Sequence, residues 1–264
     1  MSNPQGWSVT VCGCGTVGYA VAHEVAHEVA SHRTEGLRRV TLVDKALVRE
    51  NSLITCPRYA GNVGLSKSAV LAELVRRLLP SGVAIDALMQ EVESLEWLPL
   101  LADARGLPIV VVGLDDWNGR VAVVEDIRQA APWLRVPPVI VQVGLDLGAA
   151  SVCVFGPAWD DACPACGLAA LPQEASCVAF TDSGCLLRGD LQPEARAAAR
   201  LVAEIIAGCV AGRPADWPPG TKTNLVADAG GAFRRMTRRR ARVPGCLGPH
   251  SPDVPERWDS RRAQ

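Results

Sequence analysis

Lysine is scarce in this chain. Of 27 lysines and arginines, only Lys45, Lys67 and Lys222 are lysine. The two side chains are not interchangeable at a phosphate, where lysine acts as a point charge and arginine as a planar fork. A lysine at a motif position therefore stands out. Net charge is also lacking. The formal value of −1 excludes an overall electrostatic footprint for nucleic acid or an anionic membrane surface. No apolar run is long enough to span a bilayer. Met1 to Gly6 shows no basic segment followed by an apolar one, so no signal peptide is expected. The expected location is cytoplasmic, where the ten cysteines would be thiols, metal ligands or catalytic groups rather than a disulfide framework. Hydrophobic residues make up 48% of the 264, enough for a substantial core in one large domain or two small ones.

Ser8 to Val21 organises the rest. The apolar run Val9 to Cys12 leads into Gly13, Gly15 and Gly18, the spacing G-x-G-x-x-G, and a helix-compatible stretch follows at once. Such a pattern predicts a strand turning sharply into a helix. The first glycine permits the turn, the second lets a phosphate approach the backbone, and the third lets the helix pack close to its strand. The helix N-terminus then offers unpaired N–H groups to an anion. The same pattern without a ligand would be a plain glycine-rich turn.

The helix is expected to run to about His32, with His23, His27 and His32 along it as surface side chains. Arg39 to Asp44 reads as the second strand, and Asp44 at its end is placed for ribose hydroxyls or for capping the next turn. Val48 to Lys67 reads as a long loop with short helical turns. Ser66 should cap a helix over Lys67 to Leu79. A third strand is expected over Val83 to Leu88 and a short helix over Leu95 to Asp103. Pro108 to Gly113 is a continuous apolar run, the mark of a parallel strand buried on both faces. Asp115 and Asp116 follow it, at the edge where open α/β sheets bind ligands; a carboxylate there can hold Mg²⁺ beside phosphates, or cap a helix. The next helix is expected over Val121 to Ala131, then strands over Pro138 to Val143 and Ala150 to Phe155. This alternation predicts an α/β fold, a Rossmann-like, doubly wound, mostly parallel sheet.

From Gly156 the character changes. Cys163-Pro-Ala-Cys166 is a C-x-x-C pair, followed by Cys177 and Cys185. Gln192 to Val210 is helical. Lys222 to Val226 and Ala232 to Thr237 read as a terminal strand pair. Arg234, Arg235, Arg238, Arg239, Arg240 and Arg242 form a basic run, a solvated face or a contact for an acidic partner. Cys12 and Cys14 are expected to be packing residues.

In this order the motifs resemble those of the ThiF/MoeB-type adenylyltransferases of the ubiquitin-activating-like superfamily, from about Val9 to His250. Gly13-x-Gly15-x-x-Gly18 matches the family's nucleotide loop. Asp44-x-x-x-Val48-x-x-Asn51 is similar to its D-x-D-x-V-x-x-x-N-L segment. Val63-Gly64-x-x-Lys67 matches V-G-x-x-K, and Asp115-Asp116-x-x-x-Arg120 is similar to D-N-x-x-x-R. Cys163 and Cys166 match the first zinc pair.

The resemblance implies one adenylation domain over residues 1–250, with a Cys-rich zinc-binding crossover at about 156–190; residues 251–264 read by themselves as a disordered tail. It implies ATP, Mg²⁺ and Zn²⁺ as cofactors. Asp44 would hold the ribose, Asn51, Arg58 and Lys67 the phosphates, and Asp115 the magnesium. The substrate would be the C-terminal carboxylate of a ubiquitin-like or sulfur-carrier protein or a peptide, and the assembly a homodimer. Cys177, eleven residues after Cys166, lies where ThiF-like members carry a cysteine for sulfur transfer or thioester chemistry; an inert buried thiol is the other reading.

Departures from the family pattern leave choices open. The N-L-x-R-Q segment is lost: Asn51 comes one residue early, and the next arginine, Arg58, is seven residues on instead of three. Ala46 replaces the second acid of D-x-D, and Thr16 the frequent fourth glycine. Many members carry an N-terminal arginine-bearing helix, and none is expected ahead of the first strand here. Pro249 stands where the second zinc pair needs a cysteine after Cys246. The expected metal set is Cys163, Cys166, Cys246 and His250, with Cys185, or no tight zinc, as alternatives. An NAD(P)-dependent oxidoreductase and a non-catalytic partner subunit of the same fold are the competing functions.

Overall fold

The computed structural model describes residues 6–102, 106–146, 149–156, 162, 192–228 and 230–239. Eight strands form one sheet: β1 (Trp7–Cys12), β2 (Leu37–Val43), β3 (Ala84–Leu88), β4 (Leu107–Val112), β5 (Val139–Asp146), β6 (Ala149–Phe155), β7 (Thr221–Ala227) and β8 (Phe233–Arg239). Their order is β3-β2-β1-β4-β5-β6-β7-β8. The pairings from β3 through β5 are parallel. Those from β5 through β8 are antiparallel.

Among the described residues six α-helices accompany the sheet: α1 (Thr16–Ala30), α2 (Ser52–Thr55), α3 (Lys67–Arg76), α4 (Trp97–Ala102), α5 (Trp117–Ala130) and α6 (Gln192–Val210). Side chains alternate across a strand, so the sheet feeds two cores. Val9, Val11, Val40, Leu42, Ile109 and Val111 pack with α1, α3 and α6 on one face. Cys12, Val43, Val110, Val112 and Ile140 pack with α4 and α5 on the other. Val110, Val111 and Val112 are all fully buried, which explains why β4 reads as an unbroken apolar run.

Some expected boundaries move for local reasons. Helix α1 ends at Ala30, and His32 lies beyond it at φ 56°. His32 N–H donates to Val29 O and Arg33 N–H to Glu28 O, both at 3.0 Å, so His32 takes the left-handed position that closes a Schellman turn. Helix α5 starts at Trp117, earlier than the expected Val121. The Asp116 carboxylate accepts from Gly119 N–H at 2.6 Å and caps the first turn. Ser66 caps α3 in the same way, accepting from Ala69 N–H at 3.4 Å. The expected loop after Val48 contains α2 and a 3₁₀ turn, Pro57–Tyr59.

The Cys-rich crossover, apart from Gly156 and Ala162, and the expected tail lie outside the described residues. No helix among the described residues is long and apolar enough to cross a membrane.

Candidate nucleotide site

Strand order reverses between β1 and β4, so the loops leaving their carboxyl ends diverge and open a crevice. Gly13 N–H donates to Val43 O at 2.8 Å, and Gly113 N–H to Cys12 O at 2.9 Å. Gly13 has φ 86°, and a Cβ on it would lie 3.0 Å from Gly113 O. A Cβ on Gly18 would fall on the carbonyl oxygen of Gly13, so α1 leaves its strand too closely for any side chain there. Gly15 differs: nothing lies within 4 Å of where its Cβ would be. It is the N-cap of α1, with no side-chain cap and no acid in the first turn. The positive end of the helix dipole therefore faces this gap with no acid in the helix's own first turn.

Asp44 is half-buried under the loop. Its Oδ2 accepts from Cys14 N–H and its Oδ1 from Ala46 N–H, both at 2.7 Å. The ribose residue of the sequence reading is thus also a brace for the glycine turn. Lys67 begins α3, and its backbone N–H donates to Ala46 O at 3.0 Å. Its ammonium charge acts on the thiols of Cys14 and Cys56, lowering what burial raises far more. Burial pushes Cys56 up to about 11 and raises Cys12 and Cys14 well above the ordinary thiol range. These buried thiols stay protonated near neutrality and serve as packing residues, as expected of Cys12 and Cys14.

Asp115 is exposed just past β4, with no hydrogen-bond partner among the described residues. Its neighbour Asp116 is the cap. Arg120 Nε turns back to Leu114 O at 2.5 Å and stiffens this loop. Three or more His, Cys, Asp or Glu side chains able to hold a metal are not found together among the described residues. Magnesium beside a polyphosphate needs one or two carboxylates, so Asp115 with substrate oxygens fits it.

Asn51 and Arg58 lie on the segment between β2 and α3. Asn51 is exposed at the N-cap of α2, without a side-chain cap bond. Arg58 is exposed on the 3₁₀ turn. Burial and then the Arg58 charge lower His23, and the same charge opposes the burial that raises Tyr19, so Arg58 faces α1. Three residues after Asn51, where the resembled family carries its arginine, stands Ile54, 64% exposed. Cys163, Cys166, Cys177, Cys185, Cys246 and His250 lie outside the described residues.

Tyr59 escaped the sequence reading. It is fully buried, its Oη donates to Cys14 O at 2.5 Å, and its ring meets Tyr19 edge-on at 6.0 Å. The available signal was rarity: Tyr19 and Tyr59 are the only two tyrosines in the chain.

No family model matches the chain, and no curated protein matches it. Solved structures do. MccB of E. coli superposes with a TM-score of 0.64 at 15% identity, covering 96% of this chain and 67% of MccB. The same enzyme with ATP gives 0.62 and 15%, over 94% and 67%. PaaA gives 0.63 and 16%, over 90% of this chain and 74% of PaaA. MccB and PaaA are ThiF/MoeB-family adenylyltransferases. This chain has their fold. MccB has also been seen with N-formylated MccA.

Proposed function

We propose that this chain is an ATP-dependent adenylyltransferase that activates the C-terminal carboxylate of a peptide or small protein. One observation supports this above the others: the open Gly15 turn and the exposed Asp115 flank one crevice at the strand-order reversal, with the Lys67 charge beside the same turn. An NAD(P) reading leaves Lys67 and Asp115 without a task.

In this reading the Gly13–Gly18 turn and the α1 N-terminus receive the phosphates, and Asp44 accepts from the ribose with the lone pairs that its two backbone bonds leave. Asp115 would hold Mg²⁺, which when bound neutralises phosphate charge. A carboxylate oxygen of the acceptor attacks the α-phosphorus. The bond from that phosphorus to the β-phosphate bridging oxygen breaks, and pyrophosphate leaves. The nucleophile is already ionised, so no base is required. Lys67 offsets the charge that builds on the phosphoryl oxygens. Arg58 and Asn51 would contact the phosphates from the segment between β2 and α3.

The acceptor in this reading is a ubiquitin-like or sulfur-carrier protein, or a peptide, with the MccA bound by MccB as support for the last. Cys163, Cys166, Cys246 and His250 would hold one zinc per chain, the Cys177 thiolate would attack the acyl adenylate to form a thioester as AMP leaves, and two copies would assemble. Zinc analysis of chelator-free protein tests the first, and no zinc would remove that set.

The direct test is mass spectrometry of candidate peptides incubated with ATP and Mg²⁺. Addition of an AMP group to a peptide with a free C-terminus, and not to its amide, is expected. Addition to both, or hydride transfer to NAD(P)⁺ instead, would contradict the reading. Ile54 at the arginine position favours a second reading, a nucleotide-binding subunit that does not adenylate. It predicts ATP binding with no adenylated product.

A further inference from the structure

The two peptide units at the centre of the glycine turn are held from different sides. The Gly13–Cys14 unit gives its N–H to Asp44 Oδ2 at 2.7 Å. The C=O of the Cys14–Gly15 unit accepts from Tyr59 Oη at 2.5 Å. In a trans peptide the C=O and the N–H point in opposite directions. The Gly15 N–H is therefore turned away from the buried phenol and has no acceptor among the described residues. The space beside Gly15 is open, with nothing within 4 Å of its Cβ position.

Tyr59 is poorly placed to yield. It is fully buried, it ends the 3₁₀ turn Pro57–Tyr59, and its ring is set edge-on to Tyr19 at 82°. Burial drives its phenol far above the ordinary range, so the hydroxyl remains a donor at all working pH values. Without that donor the Cys14 carbonyl would be an unsatisfied buried acceptor. A rotation of the peptide would relieve it by turning the oxygen toward the crevice, where it would repel an anion.

We propose that Tyr59 is a positioning residue for phosphate recognition: by holding the Cys14 carbonyl it aims the Gly15 N–H at the polyphosphate. This rests on the nucleotide part of the proposed function. The variant Tyr59→Phe removes the hydroxyl and keeps the ring. Titrations with ATP, ADP and adenosine should show Kd for ATP and ADP raised about five- to twenty-fold, with adenosine unchanged. A merely structural role would weaken all three alike, and that result, or unchanged ATP affinity, overturns the proposal. Wild-type protein that binds neither ATP nor ADP overturns the nucleotide reading itself, and is seen without any variant. Should Tyr59→Phe fail to fold, 2,3-difluorotyrosine at position 59 supplies a stronger donor of nearly the same shape. It should tighten ATP binding about two- to five-fold and leave adenosine unchanged; equal ATP affinity overturns the proposal.

Discussion

The two halves of the sheet are built for different surroundings. In the parallel half, β1 and β4 are covered by helices on both faces, and nearly every side chain is buried. In the antiparallel half, β8 exposes six consecutive residues, Arg234 to Arg239, and among the described residues it is an edge strand. The crevice with Gly15 and Asp115 belongs to the first half. The difference teaches where rigidity is needed. A turn that must present backbone N–H groups to an anion is bounded by close contacts such as Gly18 on Gly13, while β8 carries charge that discourages edge-to-edge pairing.

Substituting Gly18 should break the parallel half most severely. Gly18→Val places a side chain where the Gly13 carbonyl lies. We expect loss of folded protein, or destabilisation above about 4 kcal/mol, by thermal unfolding. Gly15→Ala, with open space and φ −75°, should fold normally while ATP affinity falls about ten-fold. A Gly18→Val protein with near-native unfolding temperature would refute the packing account.

Next in size are the charges at the crevice. Lys67→Ala and Asp115→Ala should each lower pyrophosphate exchange by about 100-fold or more, with little change in unfolding temperature. Near-native exchange in either would contradict the site.

Within the antiparallel half the contrast is between faces. Leu225 of β7 is 4% exposed against α6, and Met236 of β8 is 55% exposed. Leu225→Ala should cost about 2–4 kcal/mol in chemical denaturation, and Met236→Ala less than about 0.5. Equal costs would erase the distinction.

Alkaline pH gives a smaller effect. Burial raises Cys56 and Cys209 to about 11, so the folded state holds these protons more tightly than the unfolded chain. Their stabilisation is complete below about pH 9 and is lost as pH rises through about 11, at up to about 1.4 kcal/mol per pH unit for each thiol. Cys56→Ala should flatten that slope in denaturation between pH 8 and 11. The exposed pair of Arg235 with Glu204, joined by bonds of 3.0 and 2.6 Å, should also contribute little, less than about 1 kcal/mol on removal.

Much of the parallel half was legible because its signals are local. The apolar run of β4, the glycine spacing, and the Ser66 cap each act within a few residues. Asp116 was ambiguous for the same reason: a carboxylate after a strand is a magnesium ligand or a cap by its surroundings, and here Asp116 caps while Asp115 stays exposed. Tyr59 was not legible, because its partner Cys14 lies 45 residues away and nothing in Cys-Pro-Arg-Tyr announces it. His32 was assigned to α1 because a Schellman turn with a histidine at its left-handed position lacks the usual glycine.

The most direct test of the central claim is acceptor-dependent exchange of pyrophosphate into ATP in the presence of Mg²⁺. Small ubiquitin-like proteins and peptides ending in Gly-Gly or Asn would serve as acceptors. Exchange that requires an acceptor with a free C-terminal carboxylate, and that disappears in Asp115→Ala, is the predicted result. Measurable ATP binding with no exchange across all these acceptors would contradict adenylation and leave a nucleotide-binding subunit in its place.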